Sequence, residues 1–205
     1  MSGKEVPIVD YSGENNVETL SDVKANNTVY KFNPGSFSFD GTGDYIFVKP
    51  SPSLVLSGDF TIEAWIKTSV SSVDTYYRRV FGFGTDASNA LQLPFFDGSG
   101  ASQNLSVYTN VVLITGNINC ATGNWTHVAI CRSGTSMRLF VNGVQSGSTA
   151  TTSTVFDAGA SNGLVIGRNY TGDGHFIGNM SDFRITRAAR YTSAFTPPTR
   201  SFPNR

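Results

Sequence analysis

The stretch Trp125–Val144 reads WTHVAICRSGTSMRLFVNGV. Its first part alternates. Trp125, His127, Ala129 and Cys131 fall on one face, and Thr126, Val128, Ile130 and Arg132 on the other, the two-residue period of a β-strand. Ser133–Ser136 interrupts the alternation with small residues and a glycine, and Met137–Val141 resumes it. Leu139 and Val141 can then meet the apolar residues of the preceding strand, so the segment reads as a hairpin. Asn142-Gly143 is the strongest short turn signal in the chain and leads into Val144–Ser148.

Working outward, the same pattern recurs. Ser36–Phe39 alternates and is followed by the turn Gly41–Asp44, then by a strand at Tyr45–Val48 that Pro50 and Pro52 stop. Thr61–Lys67 places Ile62, Ala64 and Ile66 on one side and Thr61, Glu63, Trp65 and Lys67 on the other. Bulk on both sides predicts a central strand covered on both faces. Arg79–Phe83, Leu91–Phe96, Leu105–Tyr108, Val111–Ile114, Leu164–Ile166 and Phe176–Ile185 complete the set. Strands every 8–12 residues or so, with turns between, point to a two-sheet sandwich. One helical turn is expected near Ala188–Tyr191, with Phe195–Pro198 extended after it.

Composition agrees. Ser, Thr, Asn and Gly make up 82 of the 205 residues, and 15 Phe supply an aromatic core. Glu occurs only four times, which excludes a helical bundle. A formal net charge of zero argues against a general nucleic-acid binder. No apolar run reaches the ~20 residues of a membrane helix. The opening MSGKEVPIVDYSGENN lacks an apolar core, so no Sec-type signal peptide is expected. The two cysteines, Cys120 and Cys131, are expected on neighbouring strands joined by a turn at Ala121–Asn124. Their Cα atoms would then be too far apart to bridge, so both are read as free packed thiols of a protein assembled in a reducing cytoplasm.

The ends differ from the middle. Residues 1–28 hold two lysines against five acids, a net −3, and their apolar residues follow no sustained period. They read either as an extended arm that packs on the domain or a partner through Val6, Ile8, Val9 and Tyr11, or as a loose terminus. The domain proper is expected over 29–205. From Asp182 onward five arginines face one acid, a net +4, which can pair with the acidic arm.

SFSFDGTGDYIFV (Ser36–Val48), DFTIEAWIK (Asp59–Lys67), WTHVAICR, MRLFVNGV, LVIGRN (Leu164–Asn169) and FIGNMSDFRITRAARYTSAFTPP (Phe176–Pro198) occur in that order. Together they resemble the laminin-G-like branch of the concanavalin A-like lectin/glucanase superfamily, over about residues 35–203. The resemblance implies an all-β jelly roll of two curved antiparallel sheets. RITRAARYTSAFTPP in particular resembles domains of tailed-phage fibre, tail and virion-surface proteins. That implies a non-enzymatic virion-surface protein (capsid decoration, head fibre or tail fibre), assembled in the bacterial cytoplasm and displayed on the particle. Its partners would be other virion proteins or copies of itself in a homo-oligomer, and a host glycan. The alternative is a stand-alone bacterial carbohydrate-binding or adhesion module.

The chemistry-bearing residues narrow this further. Glycoside hydrolysis needs two carboxylates about 5–9.5 Å apart, and the glucanase branch places Glu and Asp close together on one strand. Glu63 has no acidic neighbour at two residues' spacing, so no enzyme activity is expected. His127 is read as packed in its strand and His175 as a loop-tip residue. The two Cys and two His lack zinc spacing. Laminin-G-like domains often hold a structural calcium at the rim through Asp and backbone carbonyls. Asp40, Asp44, Asp173 and Asp182 are the candidates by position, with Asp40 and Asp182 expected to meet. The competing reading is that these carboxylates satisfy turn amides. For a sugar, the candidates are the aromatics in or beside polar loops, Tyr76, Tyr77, Tyr108 and Tyr170, together with His175. No motif specifies which sugar.

Overall fold

The computed structural model describes residues 15, 17–20, 23–68, 77–84, 90–96, 101–159 and 163–203. In chain order the first strands are β1 (Val17–Leu20), β2 (Lys24–Asn26), β3 (Ser36–Asp40), β4 (Tyr45–Val48), β5 (Val55–Leu56) and β6 (Phe60–Lys67). The next are β7 (Arg79–Phe83), β8 (Leu91–Phe96), β9 (Ala101–Tyr108), β10 (Val112–Asn119), β11 (Trp125–Ser133) and β12 (Ser136–Val141). The last are β13 (Val144–Gln145), β14 (Ala150–Thr151), β15 (Phe156–Asp157), β16 (Leu164–Ile166) and β17 (Ile177–Thr186).

They form two antiparallel sheets. Sheet A has seven strands in the order β1-β4-β16-β7-β8-β9-β10. Sheet B has eight, β13-β12-β11-β6-β17-β3-β2 with β14 paired to β12. A two-stranded piece, β5 with β15, is separate from both. The architecture is the expected all-β jelly-roll sandwich.

The alternation places the core between the sheets. Ile62, Ala64 and Ile66 of β6 and Val128 and Ile130 of β11 pack inward. They meet Phe81 and Phe83 of β7, Leu91 and Leu93 of β8, and Leu105 and Val107 of β9. Ile130 lies opposite Leu139 and Val128 opposite Val141, the register read from the hairpin. Burying each of these Ile, Leu, Val and Phe side chains contributes about 1.5–3 kcal/mol. Strand β6 is central, between β11 and β17, and all of its residues but Lys67 are buried. The β12–β13 turn is the tight one expected, with positive φ at both Asn142 and Gly143 (49° and 79°).

Three expectations need correction. Ala188–Tyr191 is not helical. Thr61 Oγ1 donates to the Ala188 carbonyl at 2.8 Å and accepts the Arg190 N–H at 3.0 Å, so these backbone groups pair across to β6 instead of along their own chain. Among the described residues the only helical ones are the 3₁₀ turn Pro52–Leu54, where Ser51 caps and Pro52 pre-sets φ. Second, the sandwich begins before Val29. Within the stretch read as an arm, β1 pairs with β4 and β2 with β3, as edge strands of the two sheets. Val6, Ile8, Val9 and Tyr11 lie outside the described residues. Third, β10 and β11 do not form a hairpin. The turn at Ala121–Asn124 crosses from sheet A to sheet B.

That crossover separates the thiols more firmly than hairpin spacing would. Cys120 sits in the intersheet core, and Cys131 packs with Ala129 and Phe140 in a second cluster beneath Ala189, Tyr191 and Phe195. Both are free and buried. Burial pushes the Cys120 thiol up to about 12. Alkylation without reductant should therefore modify neither thiol at a measurable rate in the native protein and both after denaturation, as read by intact mass. A single modified thiol, or none, after denaturation would contradict this packing.

Candidate ligand-binding site

The outer face of sheet A gathers polar and aromatic groups that alternation turns away from the core. Gln92 lies between the core residues Leu91 and Leu93, and Tyr108 follows the core residue Val107. The two stand opposite each other across β8 and β9. Arg79, at the start of β7, donates from Nε to Gln92 Oε1 at 2.6 Å and from Nη1 to the Tyr77 carbonyl at 2.7 Å. Tyr77 has φ 45° and is 39% exposed.

The loop after β16 closes over this face. Gly167 and Phe176 tie its ends: the Gly167 N–H reaches the Val80 carbonyl and the Phe176 N–H reaches the Gly167 carbonyl. Within it, the Asn169 side chain accepts the N–H groups of Gly172 (2.7 Å) and Asp173 (2.8 Å), and donates to Asp173 Oδ1. The Arg79 N–H bonds the Gly174 carbonyl at 2.8 Å, docking the loop on β7. Gly82 makes this possible. A methyl there would stand 2.8 Å from the Tyr170 backbone nitrogen and 3.0 Å from Asn169 Cα.

Asp173 Oδ1 thereby comes to 3.7 Å from Arg79 Nη1. Burial lowers the Arg79 guanidinium below its ordinary value, while Asp173 and the phenols of Tyr108, Tyr170 and Tyr77 act the other way. Of the four tyrosines singled out in the sequence, Tyr77 accepts from Arg79 through its carbonyl, Tyr108 lies opposite Arg79's partner Gln92, and the Tyr170 backbone passes beside Gly82. Tyr76 lies outside the described residues. His175 contributes its carbonyl, which accepts from Arg78 Nη1 at 2.7 Å, rather than its ring. Arg79, Gln92 and Asn169 are the members that sequence reading missed. A Tyr-Tyr-Arg-Arg run at the head of a strand, and a Gln between two core leucines, were the available signals.

The aspartates proposed for calcium do not assemble. Asp40 Oδ1 accepts the Thr42 N–H at 2.7 Å, and Asp44 Oδ2 accepts the Asp40 N–H at 2.9 Å, so both serve the β3–β4 turn. Strands β3 and β17 do pair, but Asp40 faces Ile177, and the ladder runs the other way to Met180 opposite Phe37. Asp182, beyond that end, is therefore about 17 Å along the strand from Asp40's partner. It occupies a bulge with φ 51°, and burial raises its carboxyl against hydrogen bonds from Phe202 N–H and Ser181. Asp173 belongs to the Arg79 cluster. Among the described residues no group of three His, Cys, Asp or Glu can hold a metal ion.

Glu63 lies on the other sheet, with no exposed side-chain surface. His127 Nε2 is 3.1 Å from its Oε2, the Tyr191 hydroxyl donates to Oε2 at 2.9 Å, and Arg184 Nη2 and Nε donate to Oε1 at 2.7 and 3.0 Å. Arg190 Nε is 3.3 Å from Oε1. Burial alone would raise this carboxyl. The His127, Arg184 and Tyr191 hydrogen bonds and the Arg184 charge outweigh burial and hold it below 4.5. A group so held stays ionised and shielded, unlike the raised general acid of a glycosidase. Arg184 and Arg190 are thus committed to Glu63, and Arg187 donates to the Pro52 carbonyl at 2.8 Å. Among the described residues, none of these three pairs with the acidic N-terminal stretch.

The sequence matches a laminin-G-type family profile described as the concanavalin A-like lectin/glucanases superfamily over residues 40–193. The chain belongs to this superfamily. No curated protein matches it. Among solved structures, it is similar to domain 4 of AbnA, a GH43 extracellular arabinanase from Geobacillus stearothermophilus, in complex with arabinotriose. The TM-score is 0.65 at 18% identity, covering 85% of this chain and 82% of that one. It is also similar to the botulinum neurotoxin serotype D binding domain (TM-score 0.62, 17% identity, 91% of this chain, 47% of that one). The binding domain of Paraclostridial Mosquitocidal Protein 1 gives 0.61 at 16% identity, with 86% and 45% covered. The chain spans less than half of each toxin domain. These likenesses establish the shared fold.

The Glu63 hub makes acid stability a direct readout. Its folded pKa is below the unfolded value, so its contribution is complete above the ordinary carboxylate range and is lost as pH falls through the folded pKa. Stability should drop as pH is lowered from about 4.5, the ordinary value. Glu63→Gln should flatten that part of the profile and cost about 3 kcal/mol at neutral pH by leaving Arg184 unpaired. Urea midpoints from pH 7 to 3 measure both. An unchanged acid slope in the variant would refute the hub's role.

Proposed function

We propose that this chain is a non-catalytic glycan-binding domain whose ligand rests on the outer face of sheet A. The observation that carries the reading is the cluster built on Arg79, with its hydrogen bonds to Gln92 and the Tyr77 carbonyl, Asp173 at 3.7 Å, Tyr108 opposite Gln92 and the Tyr170 backbone beside Gly82. Phenol rings supply apolar platforms, while Arg79, held by the buried Gln92, and Asp173 supply directed donors and acceptors, the combination a sugar's alternating C–H and O–H surface requires. The similar AbnA domain was solved with arabinotriose, which supports the choice of glycan as ligand class. Glu63, the only glutamate after residue 28, is absorbed in a structural hub, which supports the non-catalytic part.

We further propose that the domain is displayed on a tailed-phage particle as a capsid decoration, head fibre or tail fibre. It would be assembled in the bacterial cytoplasm and attached as a homo-oligomer or to other virion proteins through residues 1–14. The support is the resemblance of Arg184–Pro198 to segments of virion-surface proteins. The second reading, a bacterial carbohydrate-binding or adhesion module, draws on the likeness to a domain of an extracellular arabinanase.

Two measurements test these proposals. On an oligosaccharide array, Tyr108→Ala or Arg79→Ala should weaken binding by tenfold or more while circular dichroism stays unchanged. Retained binding in both variants would move the site elsewhere. Removing residues 1–14 should leave a folded, glycan-competent domain that no longer oligomerises or copurifies with particles. A monomeric full-length chain never found in purified particles would favour the bacterial module.

A further inference from the structure

We propose that the Arg79–Asp173 pair selects uncharged sugars over acidic ones, with Asp173 as the discriminating residue. This rests on the glycan-binding reading above. The pair is open. At 3.7 Å, Arg79 Nη1 and Asp173 Oδ1 are beyond hydrogen-bond distance. Each is nevertheless held in place from behind. Arg79 is fixed by Gln92 and the Tyr77 carbonyl, and Asp173 by the Asn169 amide. A fixed donor and a fixed acceptor side by side suit a hydroxyl, which accepts from one and donates to the other at once.

Exposure sets the order of contact. The Asp173 side chain is 71% exposed and the Arg79 side chain 14%, so an arriving ligand meets the carboxylate before the guanidinium. A uronate or sialate carboxylate reaching Arg79 must sit within a few ångströms of Asp173. Like charges at such a distance repel, several times more strongly at a protein surface than in bulk water, which cancels most of the gain from Arg79. Two other cations are near. The Arg78 guanidinium is turned to the His175 carbonyl, and Arg168 lies 3.6 Å from the Tyr45 ring centroid. Their long-range field attracts acidic sugars, and rejection is exerted at contact by Asp173.

The test is binding of the full chain, by calorimetry, to pairs of oligosaccharides that differ only in a C6 hydroxymethyl or a C6 carboxylate. Oligogalactose against oligogalacturonate is one pair, and glucosyl against glucuronosyl oligomers another. The neutral member should bind about tenfold or more tightly than its acidic partner. Asp173→Asn, which keeps an acceptor for Asn169, and Asp173→Ser should each shrink that ratio at least tenfold by raising affinity for the acidic member. A wild-type preference for the acidic member, or an unchanged ratio in both variants, would overturn the proposal. Loss of both members in both variants, with near-UV circular dichroism intact, would make Asp173 a general contact and overturn it as well. If the wild type binds neither member of any pair nor any other glycan, the glycan-binding reading itself fails and takes this proposal with it.

Discussion

A carboxylate with no exposed side-chain surface lies on the central strand of sheet B, and four groups from three other elements converge on it. Glu63 of β6 receives His127 from β11, Arg184 from β17, and Arg190 and Tyr191 from the segment beyond. Burying a charge costs several kcal/mol unless it is fully paired. Full pairing here requires β11, β6 and β17 to be in register and the C-terminal segment to lie across them. The carboxylate thus specifies one arrangement: a slip of one residue would turn Glu63 into the core and leave Arg184 without its partner.

The outer face of sheet B is closed as a result. Tyr191 and Phe195 stack with centroids 3.5 Å apart and planes 5° from parallel, above Phe140, Ala129 and Cys131. Arg184, engaged with Glu63, also lies 3.9 Å from the Phe202 ring centroid, and Lys31 4.0 Å from that of Trp65. Two-sided burial of β6 follows from this cover. Sheet A has no such strap among the described residues. On its outer face Tyr77, Tyr108 and Tyr170 stay partly exposed above a buried Gln92 and a largely buried Arg79, with the Asn169–Asp173 loop laid across it. One sheet is sealed by a charge network, and the other carries the polar face on which the glycan site is proposed.

What the sequence offered for the proposed site was its aromatic content. Tyr77, Tyr108 and Tyr170 stood out because they flank polar loops; in the fold Tyr77 bonds Arg79 through its carbonyl, Tyr108 lies opposite Gln92, and the Tyr170 backbone passes beside Gly82. Arg79, Gln92 and Asn169 did not stand out, because their roles are relational. Gln92 is a lone polar residue on a strand until Arg79 arrives from β7, and Asn169 is one of 16 asparagines until its side chain gathers the Gly172 and Asp173 amides. The aspartates misled for the same reason. A carboxylate beside glycines suits a calcium rim and an Asx turn equally well, and Asp40 and Asp44 proved to serve the turn. Motifs on paired strands also do not bring particular residues together, since antiparallel pairing carried Asp182 past the end of β3.

By itself the sequence determined the local periodicities. Alternation marked the long strands, Asn142-Gly143 the tight turn, and bulk on both sides of Thr61–Lys67 a central position. These depend on steric preferences and side-chain directions within a few residues, so they are written where they act. Tertiary structure alone decided which strands share a sheet, that Val17–Leu20 edges one sheet and Lys24–Asn26 the other, and that a helix expected at Ala188–Tyr191 gives way to hydrogen bonds with Thr61. It also decided that Glu63 meets an arginine 121 residues away. Such contacts are set by closing long loops so that a buried charge such as Glu63 meets its partners, a condition satisfied only by the whole chain at once.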